Sequence, residues 1–251
     1  MTIIITMKIE TFIEYLSQQV PPNENSLNMY NGESMANIQR RENLRAYLSI
    51  MQEIKPTRLF IGEAPGKNGC LISGVPFTDE HTVMTNKFFA GLENCMSDIP
   101  DYKPTKEATA QVIWGCLNKI PLSRYPLMWN IFPFHPSTAD SSVLIPTYRP
   151  NRTPSKNECE YGKEILYELL ELFNIEQFYA VGRTAERILK TEFPDIQYIR
   201  HPGRGGANEF RKSFDGIYKL AGRIRDYNIT KNEWVLGGKT VYYVCAGAIY
   251  K

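Results

Sequence analysis

Leu59-Phe60-Ile61-Gly62-Glu63-Ala64-Pro65-Gly66 joins a short apolar run to a turn. Three large apolar residues in succession read as a strand buried on both faces, and Gly62, Pro65 and Gly66 stop any regular element directly after it. The same pattern recurs downstream. Met128 to Phe134 reads as a second strand, interrupted by Asn130 and followed by a Pro-rich passage from His135 to Pro154. Phe178 to Val181 reads as a third strand, closed by Gly182, and Ile196 to Arg200 as a fourth, closed by His201-Pro202-Gly203. Helical periodicity fills the intervals at 83–96, 106–119, 155–173, 184–193 and 208 to about 227. The third of these opens on Ser155 with Glu158 three residues on, a capping-box pattern. Strands alternating with helices imply a parallel sheet covered on both faces. In such sheets ligands bind beyond the carboxyl ends of the strands, and the polar motifs of this chain fall there.

Upstream, residues 8–19 place Ile9, Phe12, Ile13 and Leu16 on one helical face, and Pro21 to about Ser34 reads as a loop. Residues 37–54 read as a helix with Leu44, Leu48 and Met51 as its apolar stripe and Arg40, Arg41 and Arg45 on its exposed side. Near the other end, Val235 to Ala246 reads as a hairpin around Gly237-Gly238. A length of 251 residues fits one α/β domain as readily as two.

Composition excludes little but narrows the classes. A net charge of +2 neither requires nor forbids nucleic acid, since a protein that scans DNA needs only a local basic face. Two such faces are in view, Arg200, Arg204, Arg211 and Lys212, and Arg149, Arg152 and Lys156. Five cysteines, Cys70, Cys95, Cys116, Cys159 and Cys245, stand far apart without a CxxC pair, as expected of reduced thiols in a cytoplasmic protein with no metal site. The run Ile3-Ile4-Ile5 is too short for a secretory or membrane segment, so no membrane partner is expected. Neither GxGxxG nor GxxxxGK[ST] occurs, which argues against a nucleotide-phosphate loop.

Four segments carry candidate chemistry. In Gly62-Glu63-Ala64-Pro65-Gly66, Glu63 is either an incidental turn residue or a carboxylate at a strand end. Gly74-Val75-Pro76-Phe77 is by itself an apolar loop. Asn130, inside an apolar strand, is costly unless its amide is satisfied, either by backbone or by a ligand edge. After the fourth strand, His201-Pro202 starts Gly203-Arg204-Gly205-Gly206, whose glycines permit close approach to a phosphate backbone.

Taken in order, from about Leu59 to Arg211, these segments resemble the motif set of the uracil-DNA glycosylase superfamily, and most closely its iron–sulfur bacterial and archaeal branch. Gly62 to Gly66 resembles the first motif and Ser73 to Phe77 the segment that follows it. Asn130 matches the uracil-reading Asn, Asn151-Arg152-Thr153-Pro154 with Glu158 an NRxP…E signature, and Ala180-Val181-Gly182 with Ala185 a strand–helix junction. His201-Pro202 matches the second catalytic motif. The chain is expected to form a single domain over 1–251, with an N-terminal helical extension (1–55), a core (56–227) and a C-terminal tail (228–251). Its fold would be three-layer α/β/α around a central, mostly parallel four-stranded sheet. The resemblance implies action on DNA that contains uracil or another deaminated base; a monomer is the default expectation.

By that resemblance Glu63 and His201 are the catalytic pair, and Gly62, Ala64, Pro65, Gly66, Phe77 and Asn130 bind the base. Gly203, Arg204, Gly205, Gly206 and Arg152 contact DNA. His135 is a second candidate donor, favoured as structural. The cluster cysteines of the branch have no counterparts: Pro133–Pro136 and Gly162 stand where two would fall, and Cys159 is off register. No cofactor is therefore expected. The glycine-rich stretch after His201-Pro202 also departs from the leucine-containing wedge of the family, which leaves the DNA-inserting residue open. Two rivals keep the fold: excision of hypoxanthine or xanthine, and a DNA-binding relative without catalysis.

Overall fold

The computed structural model describes residues 8–90, 103–138 and 150–219, together with the backbone of residues 227–236 and 239–248. Arg149, Cys95 and the Ile3–Ile5 run lie outside the described residues. In chain order the elements begin with α1 (Ile9–Gln18), β1 (Ser26–Leu27), α2 (Met35–Ile54) and β2 (Arg58–Gly62). Then come α3 (Cys70–Ser73), α4 (Glu80–Thr85), α5 (Ala108–Leu117), β3 (Leu127–Asn130), β4 (His135–Pro136) and α6 (Lys156–Leu170). The chain continues through β5 (Gln177–Val181), α7 (Arg183–Leu189), β6 (Gln197–Ile199) and α8 (Ala207–Tyr218). Strands β7 (Tyr227–Leu236) and β8 (Lys239–Ala248) form an antiparallel hairpin.

The central sheet has four parallel strands in the order β3-β2-β5-β6. Because β2 is flanked by β3 on one side and β5 on the other, the chain leaves it in opposite directions, which opens a crevice at the strand ends. Alternate side chains serve the two outer layers. Phe60 and Tyr179 pack toward α8, with Phe60 set against Phe214 at 6.4 Å between ring centroids. Trp129, in register with Ile61, turns the other way, onto Phe12 of α1 at 5.7 Å. Ile9, Phe12, Ile13 and Leu16, the stripe read from the sequence, are all buried. The architecture is the expected three-layer α/β/α.

Several expectations are corrected. The second strand ends at Asn130, not Phe134, because Pro133 cannot donate and the chain bends. His135-Pro136 then pairs with β1 instead. Of the helix expected over 83–96, residues 91–96 lie outside the described residues; up to residue 90 the chain forms a short α4 and a single turn of 3-10 helix, Lys87–Phe89, and Asn86 breaks the run by accepting the Phe88 N–H on its side chain. The last helix stops at Tyr218, with Lys219 in the left-handed region, and Tyr227 opens β7. The hairpin spans Tyr227–Ala248, longer than expected. The capping box of α6 is formed: Ser155 and Glu158 bond each other's backbone N–H.

Arg40 is not on an exposed face. It is 3% exposed, and α2 turns polar groups inward to serve a loop. Arg40 Nε donates to Ile72 O at 3.3 Å, Asn43 Nδ2 to Ser73 O at 2.8 Å, and Tyr30 Oη to Gly74 O at 2.8 Å. These buried carbonyls would otherwise lack partners. The segment before residue 55 therefore fixes the loop that carries Phe77.

Candidate functional site

The crevice holds a cavity of about 490 Å³ that gathers side chains from all four strand ends. Glu63 and Ala64 follow β2, Asn130 ends β3, Gly182 follows β5 and His201 follows β6. These positions are far apart in sequence; the parallel sheet alone brings them together.

Asn130 is 3% exposed. Among the described residues its amide makes a single hydrogen bond, a long 3.9 Å contact from Nδ2 to Cys70 Sγ. A buried amide with so weak a partner keeps a donor and an acceptor for a ligand. Phe77 lies beside it, buried, with a backbone φ of +56°. That is a strained position for an aromatic residue, of the kind held at binding sites by surrounding contacts. Ser73 holds the loop closed, its hydroxyl donating to Thr78 O at 2.7 Å and accepting the Val75 N–H at 3.0 Å. Gly62 makes the arrangement possible: a Cβ there would sit 2.4 Å from Phe77 Cζ and 2.8 Å from Asn130 Oδ1.

His201 faces the cavity from the opposite strand end. Its Nδ1 accepts the Gly203 N–H at 3.1 Å. A backbone amide can only donate, so Nδ1 carries the lone pair and Nε2 carries the proton. Burial lowers the pKa of the ring; Glu63 works against that effect, while Arg200 and Arg204 add to it. The ring is thus a neutral Nε2–H donor at neutral pH. The loop after it is tight. Arg204 and Gly205 have φ of +50° and +79°, and a Cβ on Gly206 would meet His201 O at 2.1 Å. Arg204 is exposed at the mouth, with its carbonyl accepting from Arg200 Nη2 at 3.4 Å.

Arg152 lines the cavity with its guanidinium already bonded. All five N–H donors of Arg152 are engaged within the chain. Nη1 and Nη2 reach the two Glu158 oxygens at 2.7 Å each, Nε reaches Ser137 O at 2.9 Å, and the remaining donors reach Thr153 O and Ser26 Oγ. The guanidinium is thus held by the chain itself at the edge of the cavity. Burial alone would raise Glu158, but hydrogen bonds from Arg152, Ser26 and Ser155 outweigh it and hold the carboxyl down at about 2. Asn151 ties this network to the first motif by accepting the Lys67 N–H at 3.0 Å. His135 is fully buried with Nδ1 2.8 Å from Pro65 O, which anchors Pro65 from behind rather than from the cavity. Cys159 is free and buried, as are Cys70 and Cys116.

One lining residue was not foreseen. Glu107, directly before α5, lays its carboxyl over the first turn: a Cβ on Gly66 would meet Oε1 at 2.3 Å and one on Gly69 would meet Oε2 at 2.3 Å. Burial, and then Asp79, raises its pKa to about 7. Its position in a charged stretch gives no local signal; only the paired glycines, Gly66 and Gly69, mark the space it fills.

The family model of the uracil DNA glycosylase superfamily matches residues 50–237. The chain belongs to the uracil DNA glycosylase superfamily. No curated protein matches it. A crystal structure of wild-type SMUG2 from Pedobacter heparinus is similar in fold, with a TM-score of 0.59 at 16% identity, over 84% of this chain and 97% of that one. Membership of this superfamily makes the chain a relative of DNA glycosylases. The matched span runs through every strand end that lines the cavity.

Proposed function

We propose that the chain hydrolyses the N-glycosidic bond of uracil in DNA, acting on a base extruded from the helix and leaving an abasic site. The observation that carries this reading is one cavity holding a nearly unpartnered buried amide, an aromatic wall and a neutral histidine donor: Asn130, Phe77 and His201.

Extrusion costs a few kcal/mol, least for a mispaired base. Phe77 offers a face on which the ring stacks, worth about 1–3 kcal/mol. The Asn130 amide pairs with N3–H and O4 of uracil together and mismatches the cytosine amino group, a discrimination of about 1–3 kcal/mol. When the C1′–N1 bond breaks, its electron pair stays on N1 and spreads onto O2. His201 Nε2–H donates to that oxygen, and a preorganised donor of this kind is worth about 3–4 kcal/mol. Glu63, at the end of β2, stabilises the positive sugar and takes a proton from the water that bonds to C1′. The proton taken by Glu63 leaves with solvent or with the departing base. Gly203, Arg204, Gly205 and Gly206 form the turn that meets the phosphate backbone.

The test is incubation with an oligonucleotide carrying one uracil opposite guanine, in EDTA, followed by alkaline cleavage at abasic sites. The expected result is a cut at uracil, absent from a thymine control and lost in Asn130→Ala. Intact strands with uracil, hypoxanthine and xanthine alike would remove the glycosylase reading.

A further inference from the structure

Glu107 has no part in the scheme above, yet its carboxyl lines the same cavity. It is fixed there by steric and polar contacts. Gly66 and Gly69 leave room for its two oxygens, as no side chain at either position would. Its backbone N–H is held by Asp79 Oδ2 at 2.7 Å, and the same oxygen accepts from Gln111 Nε2 at 2.8 Å. Neither carboxyl oxygen of Glu107 makes a hydrogen bond to another described residue. Cys70, the partner of Asn130, lies next to Gly69, so the walls of the cavity run from the amide past the thiol to the carboxyl. From the other side, Thr109 Oγ1 would be 3.6 Å from a Cβ on Gly203 in the His201 loop.

Resting on the glycosylase reading, we propose that the Glu107 carboxyl contacts the extruded base as a neutral hydrogen-bond donor and retards excision when it is ionised. The chemistry of departure supplies the reason. The base leaves with an extra electron pair, and a carboxylate in a cavity shielded from water repels that charge, whereas a carboxylic acid donates toward it. The groups facing Glu107 set which form is present. Burial disfavours ionisation and Asp79, the N-cap of α4, acts in the same direction, so the two forms exchange at about pH 7. The Cys70 thiol on α3 is itself pushed far up by burial and stays neutral. Across the cavity stand Glu63 and His201, with Arg200 and Arg204 toward the mouth. Arg152 and Arg183, on the same lining, are paired with Glu158 and Glu186. Because His201 titrates below its ordinary range, an alkaline limb near neutrality belongs to Glu107.

The test is the single-turnover excision rate on the uracil oligonucleotide from about pH 5.5 to about pH 9, compared with Glu107→Gln and Glu107→Ala. The wild-type rate should fall roughly tenfold for each pH unit above the titration of Glu107. Glu107→Gln, a permanent donor, should lose that limb, and Glu107→Ala, with neither donor nor charge, should be slower than wild type below that titration and should lose the limb as well. An alkaline limb that persists in folded Glu107→Gln overturns the proposal. So does a folded Glu107→Gln that is inactive throughout, since that result would make the carboxylate the working form. A second measurement uses the wild-type chain alone: carbon NMR titration of Glu107, free and with an oligonucleotide carrying uncleavable 2′-fluoro-2′-deoxyuridine. Contact through the neutral form raises the midpoint on binding; an unchanged midpoint overturns the contact. Wild-type protein that binds this DNA and raises the midpoint, yet excises nothing, would sink the glycosylase reading while leaving the contact in place.

Discussion

The Gly203 N–H donates to Nδ1 of His201 at 3.1 Å, so the proton available to a ligand is the one on Nε2. Protonating the ring would set two donors face to face across that contact. Burial already lowers the His201 pKa below its usual 6.5. Excision should therefore decline on acidification, with a midpoint below 6.5, as the ring loses this arrangement, an acid limb separate from the alkaline one assigned to Glu107. The unfolded ring binds its proton at higher pH than the folded one, so folding stability should also drop as pH falls from 6.5 to that midpoint. Nitrogen NMR checks the tautomer directly: Nδ1 should give the signal of an unprotonated ring nitrogen at neutral pH. A proton on Nδ1 there would reverse the assignment of the donor.

Gly62 separates two side chains that both line the cavity. A Cβ at this position would lie 2.4 Å from Phe77 Cζ and 2.8 Å from Asn130 Oδ1, so Gly62→Ala must displace the Phe77 ring, the Asn130 amide, or both. A misplacement of 1 Å at reacting groups costs about a hundredfold in rate, while overpacking of this kind costs about 1–3 kcal/mol of stability. The variant should fold, melt a few degrees lower, and excise uracil far more slowly than wild type. Near-normal excision would mean that neither ring nor amide is positioned by this contact.

Which of these relationships could be read from the sequence depends on how local they are. The strand at Leu59–Ile61, the stripe of α1 and the capping box at Ser155 and Glu158 follow from periodicity and turn chemistry within a few residues, and the structure contains all three. Asn130 stands out because a polar residue breaks an apolar strand, whereas His201, after a strand, is marked by the His-Pro motif it shares with the family. Arg152 was legible as a cation but not as a committed one, since its partners Ser26 and Ser137 lie more than ten residues away in sequence and meet it only through β1 and β4. Arg40 misled for the same reason: helical spacing gives the face of α2 but not the loop carbonyls that wait there. Glu107 was invisible because its role is set by two glycines some forty residues earlier.

Arg152 and Glu158 make a different kind of prediction. Removing one partner of a buried ion pair costs about 3–5 kcal/mol, and here all five guanidinium donors would vanish. Arg152→Ala should lower the denaturant midpoint sharply while leaving the salt dependence of DNA binding as it is in wild type. The folded carboxyl of Glu158 titrates at about 2 against an ordinary value of 4.5. Its contribution is therefore complete above pH 4.5 and disappears as pH falls toward 2. Urea unfolding across that window should show a slope in wild type that Glu158→Gln lessens. A reduced salt slope in Arg152→Ala would return the residue to the DNA interface.

Arg204 should behave in the opposite way. It is exposed at the mouth of the cavity and occupies the left-handed region at φ +50°, followed by Gly205 at +79°. Glycine adopts that conformation without the side-chain clash that arginine must bear, so Arg204→Gly removes the guanidinium while keeping the turn. Stability should hold or rise slightly, and the Gly203 contact to His201 should survive. If the guanidinium meets a phosphate, DNA affinity should fall about equally for uracil-containing and undamaged duplexes, and the slope of log K against log salt should shrink by about 0.9. Binding isotherms at several salt concentrations read both quantities. A drop in excision without change in either would assign Arg204 to wedge insertion rather than to the backbone, because a residue that fills the vacated stack acts on extrusion and leaves the number of released counterions as it was.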